Sequence, residues 1–597
     1  MEINSFLNPL YLDSIFIDSA KNAFSSKSIA VIENELDFSP KPFPHFIFKR
    51  FITNQSYLKS LQEELQQINY KHKDNDLYRF NQSKDLKSIT LPNVEKLKNI
   101  IYKEFKDVIQ NITDIPLNDN IDLFAAKYDY SDVLLCHDDQ SDGRRFAFIF
   151  YLNPDSWQES YGGLLGFFGL NEQNEPDTLI TQIMPIWNQM ILFEVSDKSY
   201  HQVSELKAEG KNRLTISGWF HGTKPLLLHL PSIYFPLELL APLDFEENAL
   251  YDWINPNYLI EDIISQIQIT FGETSEINLS QFLAEDKYSQ LLSYLDGLAD
   301  ECWEIKGPRF RRNYLVVKPS LLNLAKKPRK DEVQAPLHNS NLKNTQTPTQ
   351  SNNCLRECCN LFGSEAMFLI LSNMTGLELH PLAQQSSMDT TQYTTGDGSP
   401  SSDNSTTRAT KRTESIERNK KREKTFDADK KTSATPVNAE FSDTDIADER
   451  VLVDDNPPPS VKKEAEPGSE GIEDYGSRFQ IEVRKFRPGD YTLLNDTSNE
   501  IEQKSLNLSL FVGCEDWIPD YGGQVVYVDP KEEEPLLTIN PTPNSLALVY
   551  NDEGVAHFVK YINNKCTKRP NLPEGKADRA FYQLFFNYFE SPEPRCD

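Results

Sequence analysis

Between residues 91 and 112 apolar side chains recur every three or four positions (LPNVEKLKNIIYKEFKDVIQNI), which predicts a helix. The rhythm then changes. Short runs rich in aromatic and β-branched residues follow: IDLFAAKYDY, RFAFIFYLN, GGLLGFFGL, QMILFEVS and RLTISGWF. Gly, Pro, Asn and Asp bound each run, as in an antiparallel sandwich or barrel. Residues 226–325 read as mostly helical, with LIEDIISQIQITF and YSQLLSYLDGLADECWEI as the clearest stretches. From about 384 to 470 large apolar residues almost vanish, so that segment cannot bury enough surface to offset its ordering and is predicted to be a disordered insert. β patterning returns after residue 470.

Part of the pattern occurs twice. DSWQESYGGLLGFFG, from Asp155, matches EDWIPDYGGQVVYVD, from Glu515, and the next apolar stretches align His201 with His557. Arg213 opens RLTISGWF much as Arg579 opens RAFYQLFFNYF. Upstream, LLCHDD faces TLLNDT, which puts Asn495 in the place of His137 and Thr497 in that of Asp139. LRECCNLFGSEAMFLILSNMTG supplies a helix before the second copy, as 91–112 does before the first. One β fold used twice is the simplest account, with a polar constellation whole in the first copy only.

Composition narrows the partners. The 597 residues carry 90 acidic and 61 basic side chains, a formal charge of −29, which opposes sequence-independent binding to nucleic acid. The N-terminus has no basic region ahead of its apolar residues, and no stretch is long and apolar enough for a spanning helix, so neither secretion nor a membrane is expected. Eight irregularly spaced cysteines make no disulfide framework, and the expected compartment is the cytoplasm, the nucleus or both. The run Lys420, Lys421, Arg422 and Lys424 fits a solvated linker better than an import signal.

The chemistry concentrates in LLCHDDQSDGRRFAFIFYLNP. In an extended chain alternate side chains share a face, so His137 and Asp139 are expected to point together. With a later histidine, for which His201 fits, they would form a two-histidine, one-carboxylate set of the kind that holds non-haem Fe(II) and leaves positions open. Arg213, at the head of another β run, is placed to grip a dicarboxylate bidentately. Tyr151 and Tyr128 are candidates to assist it, although tyrosine on a half-buried strand more often packs. Gly162, Gly163, Gly166 and Gly169 precede no helix, so a phosphate loop is rejected. Cys354, Cys358 and Cys359 lack partners at zinc-finger spacing.

KYDYSDVLLCHDD, GRRFAFIFYLN, the Tyr-Gly-Gly strand, YHQVSE and NRLTISGWFHG together resemble the 2-oxoglutarate- and Fe(II)-dependent dioxygenases, specifically the two-domain prolyl 3-hydroxylases. LRECCNLFGSEAMFLILSNMTGL and EVRKFRPGDYTLLND extend the resemblance into the second half. It implies a mainly β chain with flanking helices: two double-stranded β-helix domains, the second without the metal triad. It further implies Fe(II) on His137, Asp139 and His201, and 2-oxoglutarate held by Arg213 with Tyr151 and Tyr128. Ascorbate would be the accompanying reductant. The implied substrate is a proline of a basic small-subunit ribosomal protein, with an effect on translation accuracy or termination. The expected organisation is an N-terminal tail (1–30), a catalytic domain (31–225), a helical connection that begins the second domain (226–383), the insert (384–470) and a non-catalytic β domain (471–597). A dioxygenase with another protein substrate and a non-enzymatic translation-associated scaffold stand as alternatives. Oligomeric state is not legible.

Overall fold

The computed structural model describes residues 6–141, 143–154, 156–223, 239–243, 247–322, 354–380, 477–496, 504–532, 534–568 and 581–590. The expected insert at 384–470 lies outside them, as do Thr497 and Arg579 of the aligned repeat. The chain forms two compact units: residues 1–233 with 308–311, and most of the remainder.

In the first unit antiparallel strands form one continuous sheet that folds over on itself. Its order runs Ala30–Ile32, Leu36–Ser39, His45–Phe48, Met190–Glu194, Arg144–Tyr151, Arg213–Gly222, Leu117–Tyr128, Tyr78–Ser83, Val133–His137, His201–Val203, Leu165–Leu170 and Pro176–Ile183. Tyr78–Ser83 makes the fold possible by pairing with both Leu117–Tyr128 and Val133–His137. The β runs of the sequence are therefore the strands of a double-stranded β-helix. Their alternation sorts side chains to two places. Phe148, Phe150, Leu214 and Ile216 face outward onto a core shared with the helix Gln55–Gln67 and the helical stretch from Pro92 to Thr113. Ala147, Tyr151, Phe193 and Trp219 point into the barrel. Both faces are thus covered, and these strands read as nearly continuous apolar runs for that reason.

The helix predicted at 91–112 is present, with a π turn at Ile100–Phe105 between Pro92–Asn99 and Lys106–Thr113. The expected N-terminal tail is a correction. Ser14–Ser26 is an α-helix capped by the Asp13 carboxylate, which accepts from the backbone of Ile15 and Phe16. It buries Phe16, Ala20 and Ala23, which recur at helical spacing, while Tyr11 ahead of it is fully buried.

The second unit repeats the plan. Its larger sheet runs Glu276–Ser280, Ser545–Asn551, Ser505–Val512, Phe581–Phe589, Arg478–Phe486, Arg312–Val317 and Trp303–Lys306, and a smaller one joins Leu537–Ile539, Val525–Val528 and Ala556–Val559. Three of these strands come from the stretch read as mostly helical, which is a second correction. Helices Glu261–Thr274 and Glu285–Asp296 are there, but the latter stops before Gly297, and the residues after it pair as Trp303–Lys306 at the sheet edge and Arg312–Val317 next to it. The repeat is exact in register. His201 pairs with Phe167 as His557 pairs with Tyr527, and each partner lies six residues past the tyrosine of its Tyr-Gly-Gly. Trp157 donates to the Gly162 carbonyl at 3.0 Å, and Trp517 to that of Gly522 at 2.8 Å. A Cβ on either glycine would lie 1.9 Å from a carbonyl oxygen, that of Glu205 or Tyr561, so the turn admits only glycine.

Candidate active site

The strand Val133–His137 ends on the first of the candidate ligands, and its neighbour His201–Val203 begins on another; His201 and His137 are register partners. Their ring centroids lie 4.2 Å apart. Asp139 reaches both: its Oδ1 is 3.3 Å from His137 Nε2 and its Oδ2 is 3.2 Å from His201 Nε2. One ligand atom from each of the three residues falls within 4.8 Å of the others, and among the described residues no other group of His, Cys, Asp and Glu converges in this way.

The route to that geometry differs from the expected one. Asp139 is not on extended backbone; its φ of 62° is left-handed, an uncommon state for a residue with a side chain. A tight turn just past the strand end, rather than strand alternation, brings its carboxylate onto the side of His137.

Each imidazole is oriented from behind. His137 Nδ1–H donates to the Leu135 carbonyl at 2.7 Å, and His201 Nδ1–H to the Ser199 carbonyl at 2.8 Å. Those bonds leave the neutral rings with bare Nε2 lone pairs facing a carboxylate. Three acceptors pointing at one another repel unless a cation lies among them. Burial alone would raise the Asp139 carboxyl; with a proton rather than a metal cation on the Nε2 atoms, the charge and hydrogen bonds of the His201 and His137 rings outweigh it and hold it well below the usual carboxylate range. Asp138, which points elsewhere, is pushed up by burial and bonds the backbone of Gln140.

The same cavity, about 60 Å³, is lined by His137, Asp139, His201, Arg213, Thr215 and Trp219. Arg213 opens its strand opposite Tyr128 and is 1% exposed. Its guanidinium lies 4.9 Å above the Tyr128 ring and 5.2 Å from that of Tyr151. The Nε and Nη2 groups of Arg213 and the Tyr151 hydroxyl are buried and make no hydrogen bond of normal geometry among the described residues, the hydroxyl's neighbour being Arg213 itself. Burial raises the Tyr151 hydroxyl and the Arg213 charge beside it pulls the other way. An arginine held this way needs an anion, since a buried charge is tolerated only when paired. The predicted residues are all brought together here, with Tyr128 and Tyr151 flanking the cation.

Sequence reasoning missed three participants. Arg144 lies 3.6 Å over the Trp219 ring and donates to the Asp139 carbonyl at 3.4 Å. Gly163 makes room for Arg213: its Cβ would come within 3.0 Å of Arg213 Cδ. Ser199 touches both ligand-bearing segments. Arg144 left a trace in the sequence as a charge at the head of an apolar strand and Gly163 as a turn glycine; Ser199 left none.

In the second unit His557 occupies the place of His201 and stacks on Tyr527 with ring centroids 5.2 Å apart. Burial, with help from the Arg484 charge, pushes it down to about 3. Arg484 is itself paired with Glu482 at 2.8 Å and lies 4.1 Å from the Phe585 ring. The buried arginine near this histidine therefore already has its carboxylate partner.

Two family descriptions match the chain. Residues 123–221, which contain the whole constellation, match the 2OG-Fe(II) oxygenase superfamily. Residues 245–403 and 471–571 match the family described as oxoglutarate and iron-dependent oxygenase degradation C-term. The prolyl 3-hydroxylase OGFOD1 of Mus musculus is 34% identical over 574 residues, which cover 96% of this chain and 92% of that protein. That of Xenopus laevis is 32% identical over 596 residues, covering 99% and 96%. The prolyl 3-hydroxylase sudestada1 of Drosophila melanogaster is 32% identical over 331 residues, covering 53% and 55%.

Proposed function

Because the chain belongs to the prolyl 3-hydroxylase family of Fe(II)- and 2-oxoglutarate-dependent dioxygenases, we propose that His137, Asp139 and His201 bind its iron and that Arg213 anchors its cosubstrate. The observation that carries this reading is the meeting of two bare Nε2 lone pairs and one carboxylate within 4.8 Å. The donor set suits a non-haem ferrous ion, two imidazoles and an oxygen on one side with positions left open. Arg213 and the Tyr151 hydroxyl, both buried with unpartnered polar atoms, suit the far carboxylate of 2-oxoglutarate, and Tyr128 backs the guanidinium with its ring. When bound, iron and 2-oxoglutarate supply the oxidising power, drawn from O₂, that places a hydroxyl on a prolyl C3. The chain's own part is orientation and exclusion of water: the ring nitrogens are fixed from behind, Arg213 sets the cosubstrate's direction, and the aromatic lining keeps the cavity dry. Ascorbate fits as the external reductant that keeps the metal ferrous.

The substrate we infer is a proline in a basic small-subunit ribosomal protein, through which the enzyme would influence translation accuracy or termination. A formal charge of −29 supports that choice, since it attracts a basic partner and repels bare nucleic acid. The same substrate places the enzyme in the cytoplasm and nucleus. Loss of iron binding and of substrate-coupled succinate formation in His137→Ala and Asp139→Ala tests the site; full activity in either removes it. Mass spectrometry of the ribosomal protein from cells lacking this chain tests the substrate. An unchanged mass at the proline would leave a prolyl hydroxylase with another protein target.

A further inference from the structure

The two segments that carry the candidate ligands, the turn at 137–139 and the strand start at 201, must hold their places relative to each other for three atoms to meet. One side chain joins them. Ser199 is fully buried, and its carbonyl accepts from His201 Nδ1 at 2.8 Å, which turns Nε2 toward Asp139. Its Oγ lies 2.9 Å from the carbonyl oxygen of Asp138 and 2.8 Å from that of Ser196, and accepts from the Ser196 backbone at 3.0 Å.

The Asp138 contact is the informative one. The carbonyl of Asp138 and the nitrogen of Asp139 belong to one rigid peptide plane, and the tilt of that plane sets φ at Asp139. That φ is 62°, a left-handed state that aspartate adopts more readily than most residues but still at a cost, so contacts that hold the peptide plane stabilise it. With one proton to give, the Ser199 hydroxyl holds the carbonyl before Asp139, since the Ser196 carbonyl already accepts from the Ser199 backbone N–H at 3.2 Å, and Arg144 bonds the carbonyl after Asp139 at 3.4 Å. Of these two, Ser199 also orients the second histidine.

We propose that Ser199 is a positioning residue that latches the two halves of the metal-binding set together, its carbonyl orienting His201 and its hydroxyl fixing the left-handed turn that presents Asp139. This rests on the reading that His137, Asp139 and His201 hold the iron. Such outer contacts around metal ligands are worth roughly 10- to 100-fold in affinity. Ser199→Ala keeps the carbonyl and removes the latch to Asp138.

The test is anaerobic titration of the full chain with Fe(II), and with Mn(II) as a redox-inert stand-in, alongside melting of the metal-free protein. Ser199→Ala should bind either metal about ten-fold or more weakly while its metal-free melting stays near that of the unaltered chain. Ser199→Thr, which retains the hydroxyl, should recover most of the affinity. Ser196→Ala, in the same turn but without a side-chain bond to Asp138, should bind as the unaltered chain does. Equal metal affinity in Ser199→Ala, or an equal loss in Ser196→Ala, overturns the latch. Should Ser199→Ala melt early without metal, Ser199→Cys takes its place: its thiol fills the space but donates weakly, and undiminished affinity there overturns the proposal too. An unaltered chain that takes up neither metal would instead bring down the ligand assignment, a distinct failure visible in the first titration.

Discussion

Three single side chains meet at one point because a carbonyl behind each histidine turns its ring and a left-handed turn presents the carboxylate. His137, Asp139, His201 and Arg213 stand out because a histidine and an acid precede one β run, a second histidine follows another and an arginine opens a third, and the fold brings them to one cavity. The reason first given for the pairing of His137 and Asp139 does not survive, since Asp139 sits in a left-handed turn. No pattern of side chains announces such a turn when the residue is not glycine. Ser199 was silent for a related reason: a serine two positions before a histidine is ordinary until the carbonyl it faces is known. Gly163 was legible as a turn glycine only. Its φ of 70° and the 3.0 Å approach of its missing Cβ to Arg213 Cδ give it a second duty, which is to leave the stem of the proposed cosubstrate anchor undisturbed. Gly163→Ala should therefore displace Arg213 and raise the KM for 2-oxoglutarate by roughly ten-fold or more, as small misplacements of a clamp do. Steady-state kinetics with saturating peptide and varied 2-oxoglutarate would show it; an unchanged KM would mean the guanidinium tolerates the methyl group.

Whole elements were easier to read where both faces are covered. The strands Arg144–Tyr151 and Arg213–Gly222 announce themselves because helices cover one face and the barrel interior the other. Short strands were not legible: Trp303–Lys306, at the sheet edge, and Arg312–Val317 beside it span too few residues to show a separate period. The tight connection between Leu117–Tyr128 and Val133–His137 carries a consequence for pH. Asp132 within it is nearly fully buried, accepts from the Asp129 backbone at 2.8 Å, and lies 3.7 Å from Arg79. Burial pushes its carboxyl up to about 6. In the unfolded chain the group titrates near ~4, so its protonated form favours the fold below that pH, and the benefit is lost as pH rises through 6, on the order of 2–3 kcal/mol. Asp132→Asn keeps an acceptor for the Asp129 amide and removes the ionisation. Its midpoint for urea unfolding should gain on that of the unaltered chain by more at pH 7.5 than at pH 4.5. A gain independent of pH would show that Asp132 is not the group responsible.

Over the whole molecule, the duplication visible in the Tyr-Gly-Gly stretches is a duplication of register, yet the two barrels differ in what they enclose. The first keeps unpaired polar atoms on Arg213 and Tyr151; the second closes Arg484 onto Glu482, whose carboxyl burial would raise but the Arg484, Lys306 and Arg312 charges hold down at about 2. On the proposed reading reaction chemistry belongs to the first unit, and what remains for the whole chain is encounter with its substrate. An excess of 29 negative charges acts over distances set by screening, about 10 Å at 0.1 M salt and 30 Å at 0.01 M. A strongly basic ribosomal protein should then be met faster at low ionic strength, and kcat/KM for it should fall several-fold between 10 and 150 mM salt while kcat stays nearly constant. A neutral peptide carrying the same proline separates this field from any effect of salt on the metal site, because its kcat/KM should barely move. Equal salt dependence for the two substrates would remove long-range attraction from the account, and with it the argument that the acidity of this chain selects a basic target.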